Sequence, residues 1–442
     1  MMSPQFSDYR NHIDALVHAA FTAANSETAV SRHLTRHNHT LIVNNQEHFD
    51  LIKGRLFLVS VGKAALPMLE AVAAIAGDAL HAGIAVTKVI PPDYQPPYPA
   101  LQIYRGSHPV SDEASVAATT AVHDFLQQTQ ANDLVLCLIS GGASALLTKP
   151  LIPLANWQAL NQALLASGCT INEFNTVRRQ LDAVKGGGLS RWAAPARTIS
   201  LILSDVVGNP LEFIGSGPTV PGTDTPADAI QVLEQYDIES QVGKRVWRRI
   251  SEQLTVNSEQ AMADDFALPL NFIVGDVRKA AEAALAKAAE MGFATQLLTA
   301  RLEGEAREVG LIAAAVAKDT PPNYCLILGG ETTVTLRGDG KGGRNLETAL
   351  SAAIALEGWP HLAIASFATD GEDGPTDAAG AVVTGDTVSH LPGAIDYLNN
   401  NDSYHYFQKL DDKIETAVAT LIKPGPTGTN VNDLIIILTY ES

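Results

Sequence analysis

The sequence predicts an α/β protein of two domains, each a mostly parallel sheet with helices on both faces, with the active site in the inter-domain cleft. Three observations carry this. A chain of 442 residues exceeds what one ordinary hydrophobic core supports. Short apolar runs such as LFLVSV (56–61) and LVLCLI (134–139) alternate with helical patterns, as in sheets buried on both faces. Glycine-rich or acidic turns follow several of these runs, at the carboxyl ends where open α/β sheets bind ligands.

In chain order, residues 8–23 read as an amphipathic helix. Residues 25–50 are polar and rich in histidine without regular ligand spacing, so a solvated connection is expected there. The run 56–61 leads into Gly62, Lys63 and an alanine-rich helix. Strands are expected at 84–89 and about 101–104, separated by the proline-rich loop 91–99. GSHPVSD then enters a helix, with Ser111 and Glu113 suited to its start. The run 134–139 meets SGGASALL (140–147). Helices at 155–166 and through NEFNTVRRQLDAV follow, then Gly186-Gly187-Gly188 and a strand at 199–203 ending in Ser204-Asp205.

Residues 240–265 are charged and polar with no strand signal, which divides the chain into domains 1–245 and 246–442. The second domain repeats the alternation: strand 270–274, helix 277–291, strand 295–298, helix 303–317, strand 324–328, helix 344–357, strand 363–367 and a last strand at 434–438. Between 326 and 350 lies LILGGETTVTLRGDGKGGRNLETAL, where an alternating segment (333–336) reads as an edge or hairpin strand.

Composition narrows the function classes. Hydrophobic residues make 46% and charged residues 18%, the balance of a folded globular chain. Net charge is −18 and no Lys/Arg run exceeds two, which argues against a nucleic-acid partner. No apolar run approaches twenty residues, so no membrane-spanning helix is expected. The N-terminal stretch lacks the unbroken apolar core of a signal peptide, and the expected compartment is the cytoplasm. Of the three cysteines, Cys137 and Cys325 sit in apolar runs and read as packing residues.

Several constellations could carry chemistry. Gly338, Gly340, Gly342 and Gly343 with Lys341 and Arg344 form a glycine-rich loop at a helix start, a pattern suited to phosphate. Gly338, Gly340 and Gly343 fit GxGxxG literally, but the βαβ context of a dinucleotide site is missing. Lys63 stands at a strand's carboxyl end without the rest of a phosphate loop. Ser140, Gly141, Gly142 and Ser144 can cradle an anion; the plain alternative is a helix cap with tight turn glycines. Arg178 and Lys185 share a helix face and could converge on an anion, or complement the helix dipole. Asp205 and Asp370 end apolar strands, where carboxylates suit Mg²⁺ or the activation of a hydroxyl; for Asp370 an Asx turn is the plain alternative. His108 reads first as a structural loop residue. These features suit phosphoryl transfer, in which positioning and charge neutralisation dominate.

Taken together, VGKAA (61–65), GSHPVSDEAS (106–115), SGGASALL (140–147), NTVRRQLDAVKGGGL (175–189), SDVVGNPLEFIGSGPT (204–219), GGETTVTLRGDGKGGRNLE (329–347), TDGEDGPTDAAGA (369–381) and GTNVNDL (428–434) resemble the class II glycerate 2-kinase family. That family joins a glycerate kinase N-terminal domain to a C-terminal MOFRL domain. The resemblance implies phosphorylation of D-glycerate at its 2-hydroxyl by ATP with Mg²⁺, giving 2-phosphoglycerate and ADP. It implies Lys63 and Arg344 as the principal catalytic cations. Asp205 and Glu331 would organise the metal or the attacking hydroxyl, Ser140–Ser144 would cradle a ligand anion, and the 338–343 loop would approach ATP. The chain departs from the family pattern at Ala143, where glycine is frequent, at Asp182, where serine is frequent, at Asn209-Pro210, where acidic residues are frequent, and at Gly215, which replaces a common alanine. The alternatives are an NAD(P)H-dependent hydroxypyruvate reductase and a non-catalytic sugar-phosphate-binding protein. Neither monomer nor homodimer is singled out.

Overall fold

The computed structural model describes residues 3–260, 268–413 and 419–441. It divides into two compact units. One comprises Ala29–Ser204 and Asn209–Val274; the other comprises the described residues up to Thr28, Asp205–Gly208 and those from Gly275 onward. The division falls after Val274 instead of at 245, and the N-terminal helix Tyr9–Ala24 joins the second unit by packing on the helix Val277–Glu290. The region expected to be a boundary holds the helix Lys244–Gln260, which covers the first unit; residues 261–265 of it lie outside the described residues.

The first unit opens with a small antiparallel sheet, β1 (Leu34–His37), β2 (Thr40–Val43) and β3 (Glu47–Asp50), where the sequence suggested a solvated connection. Its turns are made by Asn38, Asn44 and Asn45, all with positive φ, a conformation asparagine tolerates. The main sheet contains β4 (Leu56–Val61), β5 (Leu80–Thr87), β6 (Leu101–Arg105), β7 (Leu134–Ile139), β8 (Arg197–Leu203) and β9 (Leu270–Gly275), in the order β6-β5-β4-β7-β8-β9. The β6-β5, β5-β4, β4-β7 and β7-β8 pairings are parallel. Every residue of β4 and β7 is buried, which explains their unbroken apolar runs. Strand order reverses between β4 and β7, so the crevice at their carboxyl ends is a topological switch point.

The second sheet contains β10 (Ala294–Leu302), β11 (Tyr324–Gly330), β12 (Leu362–Ala368), β13 (Gly380–Thr384), β14 (Leu421–Ile422) and β15 (Asp433–Thr439), in the order β10-β11-β15-β12-β13-β14. Only β10-β11 is parallel; the other four pairings are antiparallel, which corrects the expectation of a second mostly parallel sheet. The helix Arg344–Leu356 carries the chain from β11 to β12, leaving them co-directional. The last strand, β15, then inserts between them in the opposite sense. The alternating segment 333–336 is not a strand: it makes one isolated bridge, Thr333 to Glu305.

The helix that begins at Arg344 is rigidly seated. It packs against the helix Ala306–Asp319 at Gly310, where a Cβ would lie 2.3 Å from the Thr348 carbonyl oxygen. Leu346, Ala349, Leu350, Ala353 and Leu356 belong to the unit's apolar core. Residue 344 is thereby held at a fixed height above the sheet. No helix of the described residues is long and apolar enough to cross a membrane. Cys137 and Cys325 are buried, and burial pushes both thiols up to about 12, in keeping with packing roles.

Candidate active site

At the β4/β7 switch point three groups meet. Lys63 follows β4, is exposed, and has no ion pair among the described residues; its backbone N–H donates to the Gly141 carbonyl (2.9 Å). Gly142, with φ of 83°, turns the chain after β7. A Cβ there would lie 3.1 Å from His108 Cδ2 and 3.5 Å from Lys63 Cγ, so these three residues line one spot. Burial, then the charges of Lys63 and Lys88, lower the His108 pKa, keeping the ring neutral.

Ser140 takes a structural part. It is buried, and its hydroxyl accepts the Ala64 N–H (3.1 Å) and reaches the Val61 carbonyl (3.3 Å). It ties β7 to the Lys63 turn, and its one hydroxyl donor is used there. Ser144 shares a hydrogen bond with Ser216 (2.8 Å), which in turn donates to Asn175 (2.9 Å).

Lys185 likewise differs from its expected role. Its side chain is fully buried, and its ammonium donates to the carbonyls of Ser144 (2.8 Å) and Leu147 (3.1 Å) and pairs with Asp182 (3.5 Å). All three donors are consumed. Burial pulls its pKa down to about 8, with Asp182 opposing. The unusual Asp182 is thus the buried counter-ion that lets Lys185 hold the 144–147 turn. Arg178 reaches the same turn, donating to the Ser144 carbonyl (3.2 Å) and lying 3.4 Å from Ser216 Oγ. Its guanidinium covers Phe174 at 5.0 Å, and its Nε is buried with no hydrogen-bond partner in the structure. Of the two cations read from this helix, Arg178 retains donors.

In the second unit, Arg344 joins carboxylates from two other chain segments. Nε and Nη2 donate to Asp433 at 2.5 and 3.0 Å, and Nη1 donates to Glu331 at 2.8 Å. Asp373 does not touch the guanidinium. It accepts the N–H groups of Asn345 (3.1 Å) and Leu346 (2.8 Å), capping the helix from a distant loop. Burial raises Asp373 to about 7 and Asp433 to about 6, the helix amides and Arg344, respectively, pulling back. Burial would lower the Arg344 pKa, but Asp433, Glu331 and Asp373 more than reverse this and fix it as a cation.

Part of the glycine-rich loop is bonded to its own protein. The N–H groups of Arg337 and Gly338 bind Asn401 Oδ1 (2.6 and 3.1 Å), that of Gly340 binds the Asn400 carbonyl (3.0 Å), and that of Lys341 binds Asp402 (2.9 Å). The glycines permit this contact: a Cβ at Gly338, Gly340 or Gly342 would fall 2.2, 2.4 or 2.3 Å from Asn400, Asp402 or Ser403, and one at Gly343 would strike the Asp373 carboxylate at 2.3 Å. Asn401 is in turn held by Glu347 (2.8 Å), which pairs with Arg307 (3.3 Å) in the buried core. Four of the amides expected to form a cradle are therefore engaged in a packing joint with residues 400–402. Lys341 remains available by its side chain, whose ammonium lies 4.6 Å from the Tyr404 ring centroid.

Asp370 forms the simple turn, accepting the Glu372 N–H at 3.3 Å. Asp205 is half-buried two residues after β8. The structure adds Asp433, Asn401 and Ser216 to the groups read from the sequence. Only NVNDL, an acid opening an apolar run, offered any signal for Asp433; Asn401 and Asp402 sit in a polar NNDS stretch with no pattern of their own.

Comparison with known proteins agrees with this architecture. Residues 12–251 match the family described as a domain of unknown function, DUF4147, and residues 324–433 match the MOFRL family. The chain is 41% identical over 395 residues to D-glycerate 2-kinase of Thermotoga maritima, covering 86% of this chain and 90% of that protein. It is 39% identical to a putative hydroxypyruvate reductase of Agrobacterium vitis, over 87% of each. The crystal structure of a glycerate kinase from Thermotoga maritima superposes with a TM-score of 0.85 at 37% identity, covering 98% of this chain and 100% of that one. The chain belongs to the DUF4147–MOFRL family that includes the glycerate 2-kinases.

Proposed function

We propose that this protein transfers the γ-phosphoryl group of ATP to the 2-hydroxyl of D-glycerate, giving 2-phosphoglycerate and ADP. The observation that carries this is two cations with unused donors at the ends of structural elements: the exposed Lys63 at the β4/β7 switch point, and Arg344, whose guanidinium is fixed by Asp433. Phosphoryl transfer needs charge placed in advance where the transferring group passes, which is what a held arginine and a lysine at a strand end supply.

Lys63 and Arg344 neutralise the phosphoryl group. Arg178, with its unpartnered Nε, and the Gly142 turn receive the carboxylate of the acid. Lys341 approaches the nucleotide through its ammonium, and Asp370 contributes from the turn after β12. Ser140, Ser144 and Lys185 shape the turn and do not themselves grip the ligand.

Mg²⁺ would be held by Glu331 and Asp205. Mg²⁺ usually takes one or two carboxylates and completes its shell with phosphate oxygens and water. Glu331 meets the requirement: its carboxylate is exposed and bound through one oxygen only. When bound, the ion supplies charge neutralisation at the phosphate oxygens.

The decisive experiment couples purified protein, D-glycerate and MgATP to enolase and pyruvate kinase without added mutase, with NADH plus hydroxypyruvate run separately. Enolase-dependent turnover identifies 2-phosphoglycerate. A silent kinase assay with NADH oxidation would instead support the reductase reading.

A further inference from the structure

Arg344 is gripped unequally. Asp433 opens β15, the strand inserted between β11 and β12, and lies opposite Gly330 and Ala368 in their registers. From this buried strand end its two oxygens take Nε and Nη2, and its side chain is 8% exposed. Glu331 follows β11, is 44% exposed, and reaches only Nη1. A guanidinium carries five N–H donors. Asp433 and Glu331 use three, leaving one on each Nη; the one left on Nη2 lies along the edge away from Nε.

The two carboxylates also differ in what their departure costs. Moving Asp433 off Arg344 would strand a buried charge, which is strongly unfavourable. Moving Glu331 returns an exposed carboxylate to water, at small cost. An incoming phosphate therefore competes with Glu331 and not with Asp433.

We propose that Asp433 is a positioning residue: it clamps the Nε/Nη2 edge of Arg344 so that the Nη1/Nη2 edge is presented to the phosphoryl group, while Glu331 is the exchangeable occupant that yields that edge. This rests on the kinase reading for its reaction, though the clamp itself requires only a phosphate ligand. Bidentate capture by the Nη edge is specific to arginine, since lysine offers a point charge without a fork.

The test is a double-mutant cycle of Asp433→Asn with Arg344→Lys, read on kcat/KM for MgATP and on calorimetric affinity for AMP-PNP. Asp433→Asn alone is expected to lower kcat/KM about 10²-fold, the scale of a catalytic group displaced by about 1 Å. In the Arg344→Lys background the same change is expected to cost less than about threefold, because no fork remains to aim. Asp433→Glu, which keeps the charge and tests the case where the asparagine variant fails to fold, is expected to recover part of the loss. Equal losses in both backgrounds on both readouts would overturn the inference. Coupling on AMP-PNP with a wild type inert toward D-glycerate would sink the kinase reading and keep the clamp. Failure of the wild type to bind AMP-PNP would sink both.

Discussion

The two cation clusters look alike in sequence and are built on opposite plans. Around Lys185 and Arg178 the cations are turned inward onto neutral carbonyls of the 144–147 turn, with the buried Asp182 as counter-ion. Around Arg344 the cation is held by carboxylates, and the nearby amides are taken by Asn401, Asp402 and Asp373. In the first, charge is spent on shaping a loop; in the second, charge is aimed. The lesson is that a glycine–cation motif reports a tight turn needing donors or acceptors, and only the tertiary partners say whether a ligand or the protein supplies them.

The sharpest way to break this contrast is to remove the cations. Lys63→Ala and Arg344→Ala should each lower kcat/KM on the order of 10³-fold in the enolase-coupled assay, with folding retained. Lys185→Met should act on stability: it strands the buried Asp182 and is expected to cost roughly 3–5 kcal/mol in urea denaturation. Near-normal stability with lost turnover would move Lys185 back among the ligand-binding groups. Gly340→Ala should cost about 1–3 kcal/mol, because a Cβ would stand 2.5 Å from the Asn400 carbonyl oxygen and 2.4 Å from Asp402 Cβ. The KM for MgATP of the folded fraction should hold; a large rise would restore the phosphate-cradle reading.

Much of the fold was legible because it is local. The runs that became β4, β7, β8, β12 and β15 are apolar enough to declare burial, and Lys63 and Arg344 follow at a strand end and a helix start. What escaped depends on distant partners. The antiparallel insertion of β15 leaves no trace in its own alternation, since a buried strand reads the same in either direction. The small sheet at 34–50 was masked by histidines, although Asn44-Asn45 between TLIV and EHFD is a turn signal. Asp433 lies 89 residues from Arg344 and Asn401 lies 63 from Gly338, so no spacing rule could join them.

The smallest expected effect separates the two clusters by pH. Asp373, raised by burial to about 7, binds a proton in the native state that the unfolded chain, near pKa ~3.9, has already released. Its contribution therefore falls as pH rises from about 4 to about 7, and Asp433, raised to about 6, has the same sign. Lys185 runs the other way: lowered by burial to about 8 against ~10.4 unfolded, it makes stability rise between those values. Asp373→Asn removes one titration while keeping an acceptor for the helix amides. The stability gap between wild type and Asp373→Asn should narrow from pH 5 to pH 8, by about 1 kcal/mol or more, because only the wild type carries this loss. Above pH 8 the gap should stay level, while the gap between wild type and Lys185→Met should widen as the buried amine sheds its proton. Urea denaturation of the three proteins at pH 5, 6.5, 8 and 9.5 reads both slopes. A gap that is flat or widens between pH 5 and 8 would mean that Asp373 is ionised throughout and that the helix amides outweigh its burial.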